Sequence, residues 1–158
     1  MQRTSFSSMN CSIAQTLEIV GEWWSLLIVR DAFRGITRFD DFQARLGISR
    51  NILTNRLEHL IECDVLVRER YQEHPARYEY KLTERGRDLW LVLAAMREWG
   101  DRWTAPDGPR VPVRHEGCGE VATVVPHCSA CGEVLETGAL SAPPLASPRP
   151  VPEPAAAR

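Results

Sequence analysis

The sequence predicts a mainly α-helical fold with a small β-hairpin wing, an α+β class, in which a helix-turn-helix is dimeric and carries a cysteine-rich C-terminal module. Three observations predict it. Residues 41–60, DFQARLGISRNILTNRLEHL, read as two short amphipathic segments around the turn Gly47-Ile48-Ser49. Two strand-like runs follow at Leu66 to Tyr71 and Arg77 to Leu82, the second of them alternating, with a five-residue loop between. A long apolar stripe at helical spacing then runs from Glu84 to Trp103.

Taken in order, residues 12–20 predict a short helix with Ile13, Leu17 and Val20 on one side, broken by Gly21. Glu22 to Arg34 predict a second helix, apolar almost all round through Trp23, Trp24, Leu26, Leu27, Ile28, Val29 and Phe33, and therefore central and buried. Phe42 and Leu46 lie four apart on the next helix and share a face. Gly47 can take the left-handed backbone that ends a helix, and Ser49 can cap the following one by accepting from the N–H near Ile52. Leu53, Leu57, Leu60 and Ile61 then bury one side of this helix, leaving Asn51, Thr54, Asn55 and Glu58 on the other.

In the hairpin, Tyr78, Tyr80 and Leu82 alternate with Arg77, Glu79 and Lys81, so one face packs and one stays wet. Thr83 caps the last helix, whose stripe of Leu89, Val92, Leu93, Met96, Trp99 and Trp103 is wider than one small core requires. A second copy of the chain is the expected cover. The domains are read as an N-terminal arm at 1–10, the winged helix-turn-helix at 11–103, a Cys/His-rich zinc-ribbon-like module at 104–138 and a disordered Pro/Ala-rich tail at 139–158. No internal repeat is expected.

Amide and hydroxyl side chains on an exposed helix can hydrogen-bond base edges in the major groove of double-stranded DNA. Arg50, Asn51, Thr54 and Asn55 are the expected base readers, with Arg38, Ser49, Arg56 and wing Arg77 on phosphate or in the minor groove. The net charge of −2 argues against nucleic acid, but its distribution does not. Six arginines (30, 34, 38, 45, 50, 56) face only Asp31, Asp40 and Asp41 in that stretch, whereas residues 104–158 hold four arginines and six carboxylates. His59, read onto the exposed side of the helix, and His74 in the wing loop are expected to be solvated.

No apolar run approaches the roughly 20 residues a bilayer requires, and the first ten residues lack a signal-peptide pattern, so no membrane and a cytoplasmic location are expected. Five cysteines in a reducing compartment then favour metal or thiol chemistry over structural disulfides. His115, Cys118, Cys128 and Cys131 form two pairs, each with two intervening residues, suited to one structural zinc ion with a closed ligand shell. His127 competes with His115 as fourth ligand. A Cys128–Cys131 disulfide or free thiols are the alternative to zinc. No nucleophile with a base, phosphate loop or open metal position is visible, so no enzyme is expected.

The ordered set of motifs Gly21-Glu22-Trp23-Trp24-Ser25-Leu26-Leu27-Ile28, Arg38-Phe39, Gly47-Ile48-Ser49 with Leu53-Thr54-Asn55-Arg56-Leu57, and Pro75 through Thr83 with Gly86 closely resembles the HxlR-type winged helix-turn-helix regulators of bacteria. The resemblance covers roughly residues 11–103 and extends to a subgroup with a C-terminal cysteine-rich extension. It implies a homodimeric, sequence-specific transcription regulator, a repressor on a palindromic operator, with dimerisation through the terminal helices and no enzyme activity. Cys11 falls where some members carry a redox-sensing thiol, although Ser12 replaces the usual Pro and no fixed cation lies nearby in sequence. Sensor and inert thiol both stay open for Cys11, as does an unknown small-molecule effector. Two further departures are Trp23, where Lys or Arg is common, and Asp64, where Gly usually ends the recognition helix; Asp tolerates that left-handed conformation. The alternative function is a redox or protein-interaction adaptor working through the cysteine module.

Overall fold

The computed structural model describes residues 5–136 and 138–141, and the chain divides into two compact units after Pro112. In the first unit the elements run α1 (Ser12–Val20), α2 (Trp23–Phe33), α3 (Phe39–Leu46), α4 (Arg50–Glu62), β1 (Leu66–Gln72), β2 (Arg77–Leu82), α5 (Glu84–Asp88) and α6 (Trp90–Thr104). Ahead of α1 the arm is tied down locally. The Gln15 amide donates to the carbonyls of Phe6, Ser7 and Met9, and the Phe6 N–H donates to Glu18.

The core lies where α2, α3 and α4 meet the base of the hairpin. Ile28, Val29, Phe42, Ile48, Leu53, Leu57, Leu60, Val65 and Leu66 are buried together there. Gly47 ends α3 with φ +66°, and Ser49 opens α4 by accepting from the Ile52 N–H at 3.3 Å. Asp64 turns the chain after α4 with φ +56°, taking the left-handed conformation in place of a glycine. β1 and β2 pair antiparallel from Leu66↔Leu82 to Arg70↔Tyr78, with an irregularity at Arg70/Gln72. The segment before α3 joins this ribbon, since the Tyr80 N–H donates to the Thr37 carbonyl at 2.7 Å and Arg38 bridges Glu79. The wing is thereby tied to the start of the helix-turn-helix.

Three sequence expectations about the helices and the hairpin change. First, α2 is not buried all round, because Trp23 stands 88% exposed while Ser25 and Asp31 fill the buried side with Ile28 and Val29. Second, the expected single helix from Glu84 to Trp103 breaks at Leu89, which is half-buried beside the core. There a Leu89 N–H to Gly86 carbonyl bond of the tighter i→i−3 kind closes α5, which is itself held under the hairpin by Thr83 Oγ1 donating to the Asp64 carbonyl. Third, Glu79 is half-buried rather than wet, drawn in by Arg38 and Lys81.

Asp31 is fully buried and draws three arginines to its carboxylate: Arg30 at 3.0 Å and Arg34 at 3.7 Å on Oδ1, and Arg45 of α3 at 3.5 Å on Oδ2. Only Arg30 hydrogen-bonds it, so Oδ2 relies on charge alone. A buried carboxylate without cations would be strongly unfavourable.

The second unit contains two small hairpins built alike, thirteen residues apart in sequence. In the first, Arg114 bridges Val121, the His115 N–H donates to the Glu120 carbonyl at 2.9 Å and the Gly119 N–H to the His115 carbonyl at 2.7 Å. In the second, His127 bridges Val134, with Cys128 N–H to Glu133 carbonyl at 2.8 Å and Gly132 N–H to Cys128 carbonyl at 2.8 Å. Cys-Gly-Glu-Val occurs in both, at 118–121 and 131–134. This is an internal repeat, contrary to the sequence expectation, and it is obscured because only four neighbouring residues are identical. No described residue of this unit is buried. The Pro/Ala-rich tail, from residue 142 on, lies outside the described residues.

Asp31→Ala should lower the unfolding free energy by about 3 kcal/mol, the low end for breaking a buried ion pair because its arginines are half-exposed. Urea unfolding followed by helical circular dichroism measures this; a midpoint within error of the wild type would show the clamp to be dispensable.

Candidate nucleic-acid interface

Burying Leu53, Leu57 and Leu60 dictates which side of α4 faces outward. Arg50, Asn51 and Asn55 are exposed on that side, with Thr54 half-buried at its edge. Amide groups at 51 and 55 each offer two donors and an acceptor, the inventory that bidentate base contacts use. The Ser49 hydroxyl accepts within the cap, which leaves its proton free to donate to a phosphate oxygen.

Arg50 is held in place before any ligand arrives. Its guanidinium lies 3.1 Å from Asp40, 3.2 Å from Gln43 and 4.6 Å from the Phe39 ring centroid. Arg38, at the N-terminal boundary of α3, is paired with Glu79 at 3.8 Å and stacks 4.9 Å from the Tyr71 ring centroid. Arg38, Arg50, exposed Arg77, Tyr71 and Tyr78 line one groove of about 430 Å³ between the helix-turn-helix and the wing. Asp40 and Asp41 line it as well, so its cations are partly neutralised, with Arg50 held by Asp40 and Arg38 by Glu79, and a phosphate backbone would compete with those carboxylates for the arginines. Phe39 and Tyr71, which position those arginines, were not apparent from spacing; their signal is only that each is an aromatic beside or across from an arginine.

Two expected members are placed elsewhere. Arg56 is half-buried and turned to Glu22 at 3.7 Å, away from the exposed side of α4. His59, expected to be solvated, is half-buried with Nε2 3.0 Å from the Ile19 carbonyl. Residue 59 lies on the flank of α4 that packs against α1, and Ile19 supplies an acceptor there. Likewise, Arg30, Arg34 and Arg45 serve Asp31, so half of the six arginines read from this stretch are structural.

Away from this face, α1 and α6 leave apolar side chains uncovered. Ile13 is 73% exposed, Trp99 64% and Trp103 65%, and no residue of α6 is buried. Cys11 precedes α1 as its N-cap and is exposed. Cys63 is half-buried with its sulfur 3.8 Å from His59 Nε2, and burial pushes its thiol above the ordinary range despite the nearby Arg85.

In the second unit, His115 Nδ1 lies 3.3 Å from Cys118 Sγ. Hydrogen bonds from the backbone N–H groups of Cys131 and Ala130 hold the Cys128 thiol below its ordinary range. Cys118, Cys128 and Cys131 are all free thiols. Each pair is thus formed locally, but among the described residues no three His, Cys, Asp or Glu side chains meet at one metal-ready point. Among those residues, too, no helix is long and apolar enough to cross a membrane.

A protein-family model described as HxlR-like helix-turn-helix matches residues 19–108. An uncharacterized HTH-type transcriptional regulator of Mycobacterium tuberculosis, Rv3095, is 43% identical over 125 residues, 78% of this chain and 79% of its own. Among solved structures, the candidate transcription factor PA1607 matches with a TM-score of 0.79 and 37% identity over 89% of this chain and 99% of that one. A second candidate transcription factor, PA1374 of Pseudomonas aeruginosa, matches with a TM-score of 0.60 and 41% identity over 87% and 95%. Both structural likenesses span more of the chain than the family model does.

Because burial raises the Cys63 pKa, its thiolate fraction at mildly alkaline pH is reduced and its alkylation should lag that of exposed Cys11. Time-resolved iodoacetamide labelling with peptide mass spectrometry compares the two directly, and equal rates would contradict the packing around Cys63.

Proposed function

The chain belongs to the HxlR-like helix-turn-helix family of transcription regulators, and from that premise we propose that it acts as a homodimer on a palindromic DNA operator, as a repressor. The observation that carries the reading is the pairing of two faces on one scaffold. One is the exposed side of α4, bearing Asn51 and Asn55 beside the arginine-lined groove; the other is the uncovered apolar side of α1 and α6.

A second copy is the occupant that fits the second face. α6 exposes Trp90, Leu91, Met96, Trp99 and Trp103 in one helix, and such a patch on a free monomer invites association. Twofold pairing through it would set two α4 helices on one side of a duplex, and half-sites one helical turn apart lie about 34 to 36 Å from centre to centre. Arg50, Asn51, Thr54 and Asn55 would read bases, while Arg38, Ser49 and Arg77 grip the backbone. Arg56 would join the backbone contacts only by leaving Glu22. Repression is the mode that the family resemblance favours for a dimer seated on promoter DNA.

Asn55→Ala should narrow the gap between specific and random DNA by about 1 to 3 kcal/mol, whereas Arg38→Ala should weaken both alike and flatten the salt dependence by about one ion. Fluorescence anisotropy across a salt series separates these; equal losses on specific and random DNA from Asn55→Ala would refute the base-reading role. Trp99→Asp should convert the protein to a monomer in sedimentation velocity, with loss of binding to a two-half-site operator selected from a random oligonucleotide pool. A wild-type protein that sediments as a monomer would end the homodimer reading.

A further inference from the structure

We propose that the second unit is a single structural zinc site of the Cys3His kind, in which His115, Cys118, Cys128 and Cys131 are the ligands and His127 is a positioning residue. The repeat decides between the two histidines. Moving thirteen residues along the chain carries His115 onto Cys128 and Cys118 onto Cys131, with the same N–H to carbonyl bonds around each pair. His127 instead falls on Arg114, and the two do the same job. Arg114 Nη1 donates to the Gly119 carbonyl at 2.9 Å, and His127 Nδ1 donates to the Gly132 carbonyl at 3.0 Å. His127 braces its turn through Nδ1 as Arg114 does, and the repeat places the first ligand of each hairpin one residue later, at His115 and Cys128.

The geometry of each hairpin is that of a ligand-presenting turn. Gly119 and Gly132 follow the second ligand with φ +75° and +77°, a conformation that folds the backbone around the sulfur and that a side chain would strain. The His115 Nδ1 to Cys118 Sγ separation is 3.3 Å, a contact that need open only to about 3.6 Å to become the edge of a tetrahedron with bonds of about 2.1 and 2.3 Å. Two half-sites with two ligands each would supply four soft and borderline donors, a set that favours zinc over hard cations once gathered on one ion. The two pairs do not yet meet at one point, and closing them on an ion is what the metal would contribute. The need for it is physical. No described residue from 113 to 141 is buried, so this unit lacks the apolar core that would hold two hairpins, and small units of this kind are fastened by metals or disulfides.

The test uses the full chain purified without chelator, with elemental analysis, a competing chromophoric chelator and cobalt substitution. The wild type should hold close to one zinc per chain, and its cobalt form should show the intense thiolate-to-metal and tetrahedral ligand-field bands. His127→Arg, the residue of the sister hairpin, should keep the metal and the cobalt spectrum. His115→Ala should surrender zinc at a chelator concentration at least about tenfold lower, and His115→Cys should restore retention with a spectrum shifted toward four thiolates. Helical circular dichroism confirms that the first unit stays folded in each variant. Less than about 0.2 zinc per wild-type chain, or a Cys128–Cys131 disulfide in the freshly isolated protein, would overturn the site. Loss of zinc from His127→Arg together with its retention in His115→Ala would overturn the ligand assignment.

Discussion

Burial of one side of α4 is the constraint on which the rest of the first unit depends. Leu53, Leu57 and Leu60 repeat at helical spacing and are closed over by Ile28, Val29, Phe42 and Ile48, each large apolar side chain contributing about 1.5 to 3 kcal/mol. Once that side is committed, the opposite side has no freedom of orientation. Asn51 and Asn55 face outward because the leucines face in, and the helix that carries them is stiffened by the same contacts. The Ser49 cap and the left-handed Gly47 set its starting point, so both its angle and its register follow from the turn.

Electrostatics couples the neighbouring elements to this helix. Asp31 gathers cations from its own helix and from α3, linking the two under the turn. On the other side of α3, Arg38 pairs with Glu79 and the Thr37 carbonyl takes the Tyr80 N–H, which links the wing to the helix start. The outcome is that the arginines divide into two classes. Three serve Asp31 alone, whereas Arg38 and Arg50 line the groove between helix-turn-helix and wing while also pairing with Glu79 and Asp40, and Arg77 joins them there.

Neither the α1 and α6 face nor the second unit is satisfied by the chain's own apolar burial. Among the described residues, the first is rich in exposed large side chains, and the second has donor-bearing turns and no buried residue. These are opposite deficits. An excess of apolar surface is remedied by another apolar surface, whereas an absence of it requires a bond that does not depend on area.

Sequence alone determined the helix-turn-helix, the hairpin and the Ser49 and Thr83 caps, because each rests on local rules of periodicity and capping chemistry. The outward face of α4 was legible for the same reason. The left-handed Asp64 was legible only through the family resemblance. Tertiary structure alone decided which carboxylate each arginine meets, that Arg56 turns to Glu22 and His59 to the Ile19 carbonyl, that Trp23 stands out of the core, and that the last helix breaks at Leu89. It also exposed the repeat in the second unit, where backbone hydrogen bonds match although most side chains differ. Charge pairing and hydrogen bonding depend on which residues meet across tens of positions in the chain, and that distance in sequence carries no periodic signal.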